Sequence, residues 1–108
     1  MLRYTVRGNG AEVLVVLEGE LARDDDGLDW TDRLRDFLEE HFINDGVRTI
    51  RLDLGGVTLI DHDGVGTLLV LNREAVDRGK ALWIENPSGQ VRNRLASMSV
   101  LGRLTDDR

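Results

Sequence analysis

The stretch TLIDHDGVGTLLVL, from Thr58 to Leu71, sets two acids, a histidine and two glycines between two apolar runs. Polar clusters of this kind stand where a strand ends and a helix begins. Four roles fit Asp61-His62-Asp63-Gly64. The group can cap a helix, hold a metal, attack a substrate, or form a contact surface for another protein. Capping is the plainest. An Asp ahead of a helix accepts hydrogen bonds from the free N–H groups of the first turn, worth about 0.5–2 kcal/mol, and its charge suits the positive helix end. Asp63 is placed to do this for a helix opening at Gly64. That role uses one acid and leaves Asp61 and His62 without a task.

Other residues with chemical potential are scattered. Asp24-Asp25-Asp26-Gly27 resembles a fragment of a calcium loop, but the alternate-ligand spacing and the terminal Glu of such a loop are missing. It reads as a loop leading to a helix cap. His41 falls within an apolar helical stripe near that helix's C-terminus. No second histidine or acid lies at ligand spacing on the same face, so it reads as a partly buried imidazole near favourable carbonyls. Thirteen of the fourteen basic residues are arginine, leaving Lys80 as the only lysine. Cysteine is absent, which excludes disulfides, thiol catalysis and thiolate metal sites. No catalytic residue, metal site or cofactor is expected.

A chain of 108 residues is expected to form one domain, 1–108, with a modest core. Its 41% hydrophobic and 31% charged residues suit a folded domain rather than a disordered one. The net charge of −6 argues against a nucleic-acid partner, which draws a basic patch. Arg92, Arg94 and Arg103, in QVRNRLASMSVLGR, read as a solvated helix face. MLRYTVRGNG lacks the sustained apolar segment and small-residue cleavage site of a signal peptide. No run approaches the ~20 apolar residues of a membrane span. A cytoplasmic location without membrane insertion is the expectation.

The elements that must position Asp61 to Gly64 follow from periodicity. LRYTVRG alternates weakly, with Leu2, Tyr4 and Val6 on one side, as in an edge strand. Asn9-Gly10 signals a hairpin turn. Glu12 to Leu21 is a strand whose nearly continuous apolar run implies burial on both faces. Asp29 to Asn44 is helical, with Trp30, Leu34, Phe37, Leu38 and His41 on one face. Asp29 or Thr31 can cap its start. A strand runs from about Arg48 to Leu54 and is broken by Gly55-Gly56, before the short apolar step VTLI. The next helix presents Val65, Leu68, Leu69, Asn72, Ala75 and Val76 on one face, with Gly79 placed for its C-terminal cap. Lys80 to Glu85 is a strand. Ser88 can cap a last helix with Val91, Leu95 and Met98 inward. SVLGRL packs back and TDDR frays. The order β-β-α-β-α-β-α implies an α/β fold with an initial β-hairpin, a mixed sheet and about three packed helices.

Two families resemble parts of this pattern. The D-x-D-G-V run after an apolar strand resembles motif one of the haloacid dehalogenase-type phosphohydrolases. That resemblance would make Asp61 a nucleophile and Asp63 an acid/base beside magnesium. The later Ser/Thr, Lys and acid pair of that family find no match at strand ends. The second resemblance covers nearly the whole chain. Asp53-Leu54, Val57, Ile60-Asp61, Gly64-Val65-Gly66, Gly79, Asn86-Pro87, Val91-Arg92, Leu95 and Leu101 fall, in order, into the pattern of the STAS domain family, typified by bacterial anti-sigma-factor antagonists. The closing Gly19-Glu20-Leu21 of the second strand fits as well.

The STAS resemblance implies a four- to five-stranded mixed sheet and a non-enzymatic role. Such antagonists bind an anti-sigma factor, an ATP-binding serine kinase of GHKL type, and make it release its sigma factor. The kinase phosphorylates the second Ser of an Asp-Ser-Ser-Gly motif and so breaks the complex. In this chain those two positions hold His62 and Asp63. The phosphoacceptor position therefore has no hydroxyl and a fixed negative charge. Asp63 either mimics the phosphorylated state or meets a partner adapted to it. His62 is of the one residue type whose charge changes near neutral pH, although a plain exposed loop histidine explains it as well. Thr58 and Thr67 are the nearest hydroxyls, Thr67 being an alternative acceptor. Asp61, His62, Asp63, Gly64, Val65, Gly66 and Thr67, with the loop Asp24 to Gly27, are the expected contact patch. A STAS subunit of a stress-signalling or lipid-transport assembly, with no kinase partner, is the alternative. The sequence leaves open a homodimer through the sheet edge or a helix face.

Overall fold

The computed structural model describes residues 2–8, 10–22 and 30–105, with the side chain of Trp30 outside the description. Asn9, Asp24 to Gly27, Asp29 and Asp106 to Arg108 lie outside the described residues, and with them the expectations placed there. The elements in chain order are β1 (Arg3–Arg7), β2 (Glu12–Leu21), α1 (Trp30–Ile43), β3 (Thr49–Ile60), α2 (His62–Asp77), β4 (Ala81–Glu85), α3 (Gly89–Ser97) and α4 (Leu101–Leu104). The strands form one sheet in the order β1-β2-β3-β4. β1 and β2 pair antiparallel as a hairpin, and β2-β3 and β3-β4 pair parallel. The sheet is therefore mixed, with β1 at one edge, as its weak alternation indicates.

Each parallel step needs a helical crossover. α1 makes the first and α2 the second, and the two lie side by side, joined by ion pairs Arg35–Glu74 and Arg78–Glu39. Their apolar stripes meet one face of the sheet. Leu34, Leu38 and Phe42 of α1 and Val65, Leu68, Leu71 and Ala75 of α2 pack there against Val13, Val15, Leu17, Ile50, Leu52, Leu54, Leu82 and Ile84. Phe37 stacks on Tyr4 at 4.1 Å between ring centroids, which closes the core at the β1 edge. His41 is inward: its ring meets Phe37 edge-on at 5.8 Å, and its Nε2 stands 3.7 Å from Glu40 Oε1 without a hydrogen bond.

Three local expectations change. β2 is not buried on both faces. Val13, Val15 and Leu17 are buried, while Leu14 and Val16 are only partly covered. β3 does not break at Gly55-Gly56 but runs on to Ile60. Its pairing with β2 shifts register between Val16 and Glu18 and again between Gly19 and Glu20. The glycines bend the strand rather than end it, as bulges do. A Cβ on Gly56 would sit 2.8 Å from Glu18 Cγ, and one on Gly55 would overlap the Asn86 amide. Thr105 does not fray either. It makes a parallel bridge with Ile84 at the outer edge of β4, following α4, whose Leu104 is fully buried.

Helix ends explain the connections. α2 closes with Gly79 at φ 72, Lys80 N donating to Ala75 O and Gly79 N to Val76 O, the paired bonds of a Schellman motif. α3 closes the same way with Ser99 at φ 60, Val100 N donating to Leu95 O. Lys80 has a structural role: its Nζ donates to the carbonyls of Asn44 and Val47 and ties the α1–β3 loop to β4. Ser88 is at the N-cap of α3, but its hydroxyl makes no cap bond. It donates to Val57 O at 2.9 Å and holds α3 beside the extended end of β3.

Candidate functional site

β3 delivers its last residue, Ile60, to the end of the sheet, and α2 begins two residues later. The cap of α2 is Asp61 and not Asp63. Asp61 has extended backbone, φ −106 and ψ −176, and its Oδ1 accepts from Gly64 N at 2.8 Å. Its own N–H donates to Leu21 O at 3.2 Å, so the cap residue is also stitched to β2. Because the helix starts at His62 rather than Gly64, Asp63 lies inside the first turn. Its carbonyl accepts from Thr67 Oγ1 at 2.9 Å, and its exposed side chain stands at the positive end of the helix.

The seven expected contact residues divide by burial. His62 and Asp63 are exposed, and Asp61 and Gly66 are partly so. Gly64, Val65 and Thr67 are buried. Gly64 lies so close to β2 that a Cβ would overlap the Leu21 carbonyl oxygen. Val65 has no exposed surface and belongs to the core. Thr67 is 7% exposed, and its hydroxyl donates to the Asp63 carbonyl. Thr58 is exposed, with its hydroxyl donating to Gly19 O at 3.3 Å.

The surface continues from the head of α2 onto α3. Leu59, 41% exposed, and Ile60 form one wall of a cleft of about 400 Å³, and Gln90, Asn93, Arg94 and Ser97 form the other. Those four α3 residues recur at i, i+3, i+4 and i+7, one face of a helix. Arg94 Nε reaches the Ile60 carbonyl at 3.5 Å, a long contact that holds the guanidinium over the cleft. Sequence periodicity shows this stripe only as a solvated face. Its meeting with Leu59 depends on the long-range Ser88–Val57 bond, which no local signal reveals.

Asp61 is committed to the cap. Among the described residues no group of three His, Cys, Asp or Glu side chains gathers to hold a metal ion. No helix among the described residues is long and apolar enough to cross a membrane.

A family model described as "Mlab, STAS domain" matches residues 4–105. No curated protein matches the chain. Among solved structures, the anti-sigma factor antagonist SpoIIAA in its unphosphorylated form is similar over 98% of this chain and 88% of its own, with 24% identity and a TM-score of 0.74. The Bacillus cell fate determinant SpoIIAA in the phosphorylated form gives 23% identity, coverage of 98% and 91%, and a TM-score of 0.68. The murine anion transporter Slc26a9 matches over 89% of this chain but only 15% of its own, with 17% identity and a TM-score of 0.66.

Proposed function

The chain belongs to the STAS domain family, and we propose that it acts as a non-enzymatic regulatory domain that binds an anti-sigma factor/serine kinase of GHKL type through the head of α2. The observation that carries this reading is Asp63. It is exposed in the first helical turn, and the sequence resemblance aligns it with the phosphoacceptor serine of the family's antagonists. A phosphoserine there would bring about −1.5 to −2 charges and three acceptor oxygens. Asp63 supplies about one permanent charge at the same helix end, where anions are favoured. The phosphorylation switch is thereby fixed in a negatively charged state. Asp61, His62, Asp63 and Gly66 make the partner-facing surface, with Leu59 and the polar stripe of α3 beside them.

A second reading has a specific observation in its favour. The family model carries the description Mlab, and the similar region of the murine transporter is a small part of a larger protein. The domain would then be a constitutive subunit of a stress-signalling or lipid-transport assembly with no kinase partner.

The deciding experiment is affinity capture from native-host lysate, wild type beside Asp63→Ser, with bound proteins identified by mass spectrometry. Capture of a GHKL-type ATPase by the serine variant but not by wild type is the expected result. Capture by both shows that the acid is tolerated and that the switch idea is wrong. Recovery of a transporter or scaffold by both, with no ATPase, moves the assignment to the second reading. Incorporation of phosphate into the Thr58–Thr67 segment of wild type, with loss of binding, overturns the fixed-switch mechanism directly.

A further inference from the structure

The strands β3 and β4 part before β3 ends. Their pairing stops where Asp53 meets Glu85, while β3 runs on to Ile60 and stays paired with β2. Past Asp53, β3 has no strand on its β4 side among the described residues. Two of its carbonyls are taken instead by side chains of α3 and its cap: Val57 O accepts from Ser88 Oγ, and Ile60 O from Arg94 Nε. Between this strand end and α3 lies the cleft of about 400 Å³.

The lining groups differ in how far the fold already commits them. Ile60 belongs to the core, and the Ser97 hydroxyl donates to Arg94 O. Leu59 is left 41% exposed. The amides of Gln90 and Asn93 are exposed and make no hydrogen bond among the described residues. Arg94 has no carboxylate partner among the described residues, whereas Arg35, Arg51, Arg73 and Arg78 each have one. Its contact to the neutral Ile60 carbonyl is 3.5 Å, longer than the ~2.7–3.2 Å of an ordinary N–H···O bond. That contact uses Nε and leaves the two terminal nitrogens of the guanidinium for another acceptor. A carboxylate would bind them with shorter bonds, roughly twice as strong as neutral ones.

Shape selects what carries the carboxylate. From Gln90 to Ser97 a helix rises about 10 Å, the length of three extended residues at ~3.3 Å each. One wall is the end of a strand and the other a helix. Asn and Gln amides each offer donors and an acceptor, which match the N–H and C=O of a peptide unit. An isolated phosphate would engage Arg94 and leave Leu59 uncovered. An acyl chain would meet mostly polar side chains. We infer that this cleft is a docking groove for a short, extended, acidic segment of a partner protein. The segment sets an acid on Arg94, its backbone on Gln90 and Asn93, and an aliphatic side chain near that acid on Leu59. The inference rests on the reading of this surface as partner-facing and adds the chemistry that the partner brings to it.

The test is selection of random octapeptides, displayed on phage, against the full chain. Synthetic copies of the enriched peptides are then titrated into isotope-labelled protein and followed by NMR. Enriched peptides are expected to carry an acid close to an aliphatic residue and to shift the amide signals of Leu59, Gln90, Asn93 and Arg94. Arg94→Glu is expected to weaken them about ten-fold, and replacing the peptide's acid by lysine is expected to restore binding to that variant. No enrichment, enrichment without an acid, shifts confined to other residues, or unchanged affinity in Arg94→Glu overturns the inference. Should circular dichroism show Arg94→Glu to be unfolded, Arg94→Gln takes its place, and undiminished affinity in that variant overturns it as well. Cosedimentation with phosphatidylglycerol vesicles that depends on Arg94, with no peptide enriched, overturns the peptide as occupant. Failure of the groove and failure of the proposed function are distinguishable. Capture of a GHKL-type ATPase that Arg94→Glu leaves unchanged overturns only the groove, and peptides that bind as described while no ATPase is captured overturn only the kinase partner.

Discussion

Gly64→Ala and Gly66→Ala make the same chemical change, two residues apart on one helix, and are expected to move stability in opposite directions. In an exposed helical position Gly to Ala stabilises by about 0.5–1 kcal/mol, because the unfolded glycine has more freedom to lose. At Gly66 no heavy atom lies within 4 Å of an added Cβ, so this gain is realised. At Gly64 the methyl would overlap the Leu21 carbonyl oxygen, stand 2.8 Å from Ile60 Cγ1 and 3.1 Å from the Leu21 carbonyl carbon. None of these can yield cheaply. Leu21 is fully buried, and its carbonyl accepts the Asp61 N–H. Relief requires lifting the first turn of α2 off β2, which adds roughly 1–3 kcal/mol of overpacking and weakens a hydrogen bond worth about 1 kcal/mol. After the helix-propensity gain, Gly64→Ala is expected to cost about 2–3 kcal/mol. At about 4 °C per kcal/mol for a domain of this size, Tm falls by about 8–12 °C for Gly64→Ala and rises by about 2–4 °C for Gly66→Ala. Urea and thermal unfolding followed by circular dichroism measure both. Two variants within about 0.5 kcal/mol of each other, or Gly66→Ala as the less stable, would refute the close approach of α2 to β2. That approach fixes where His62 and Asp63 stand.

Asp61→Ala removes the cap bond to Gly64 N and is expected to cost about 0.5–2 kcal/mol, whereas Asp63→Ala, which removes an exposed charge near the helix end, is expected to cost less than about 1 kcal/mol. Urea unfolding of the pair tests the assignment, and a larger loss at Asp63 would return the cap to that residue. Ser99→Gly relieves a left-handed conformation that costs an L-residue about 1–2 kcal/mol and gives back part of that through unfolded-chain entropy. A net stabilisation of about 0.5–1 kcal/mol is expected, and a destabilised variant by thermal melting would show that Ser99 is not strained.

Periodicity was enough to identify the strands, the helices and their order, because each amphipathic stripe has a core-facing partner. It was less able to place features that depend on distant backbone. Gly55-Gly56 look like a break locally, and only the pairing of β2 with β3 turns them into a bulged continuation. Asp61 and Asp63 are equally good caps by residue type. The tie between Asp61 N and Leu21 O decides between them, and Leu21 is forty residues away in sequence. Ser88 has cap residue type and cap position, yet its hydroxyl is drawn off by Val57. The β2 run was misread for the opposite reason. Apolar residues on both faces suggest equal cover, whereas among the described residues Leu14 and Val16 are covered only in part.

The head of α2 separates the residues that make the fold from those that face outward. Asp61 caps, Gly64 admits the helix to β2, Val65 fills the core, and Thr67 ties back to Asp63. Substitution at any of these has a folding cost. His62 and Asp63 are exposed, and the cap is already supplied at Asp61. Their side chains can change type with little effect on the packing beneath. The structural residues of this segment are Asp61, Gly64, Val65 and Thr67, and His62 and Asp63 are the two that face outward. An acid at position 63 therefore needs no compensating change in the core. Its consequence lies in the charge it presents at the helix end.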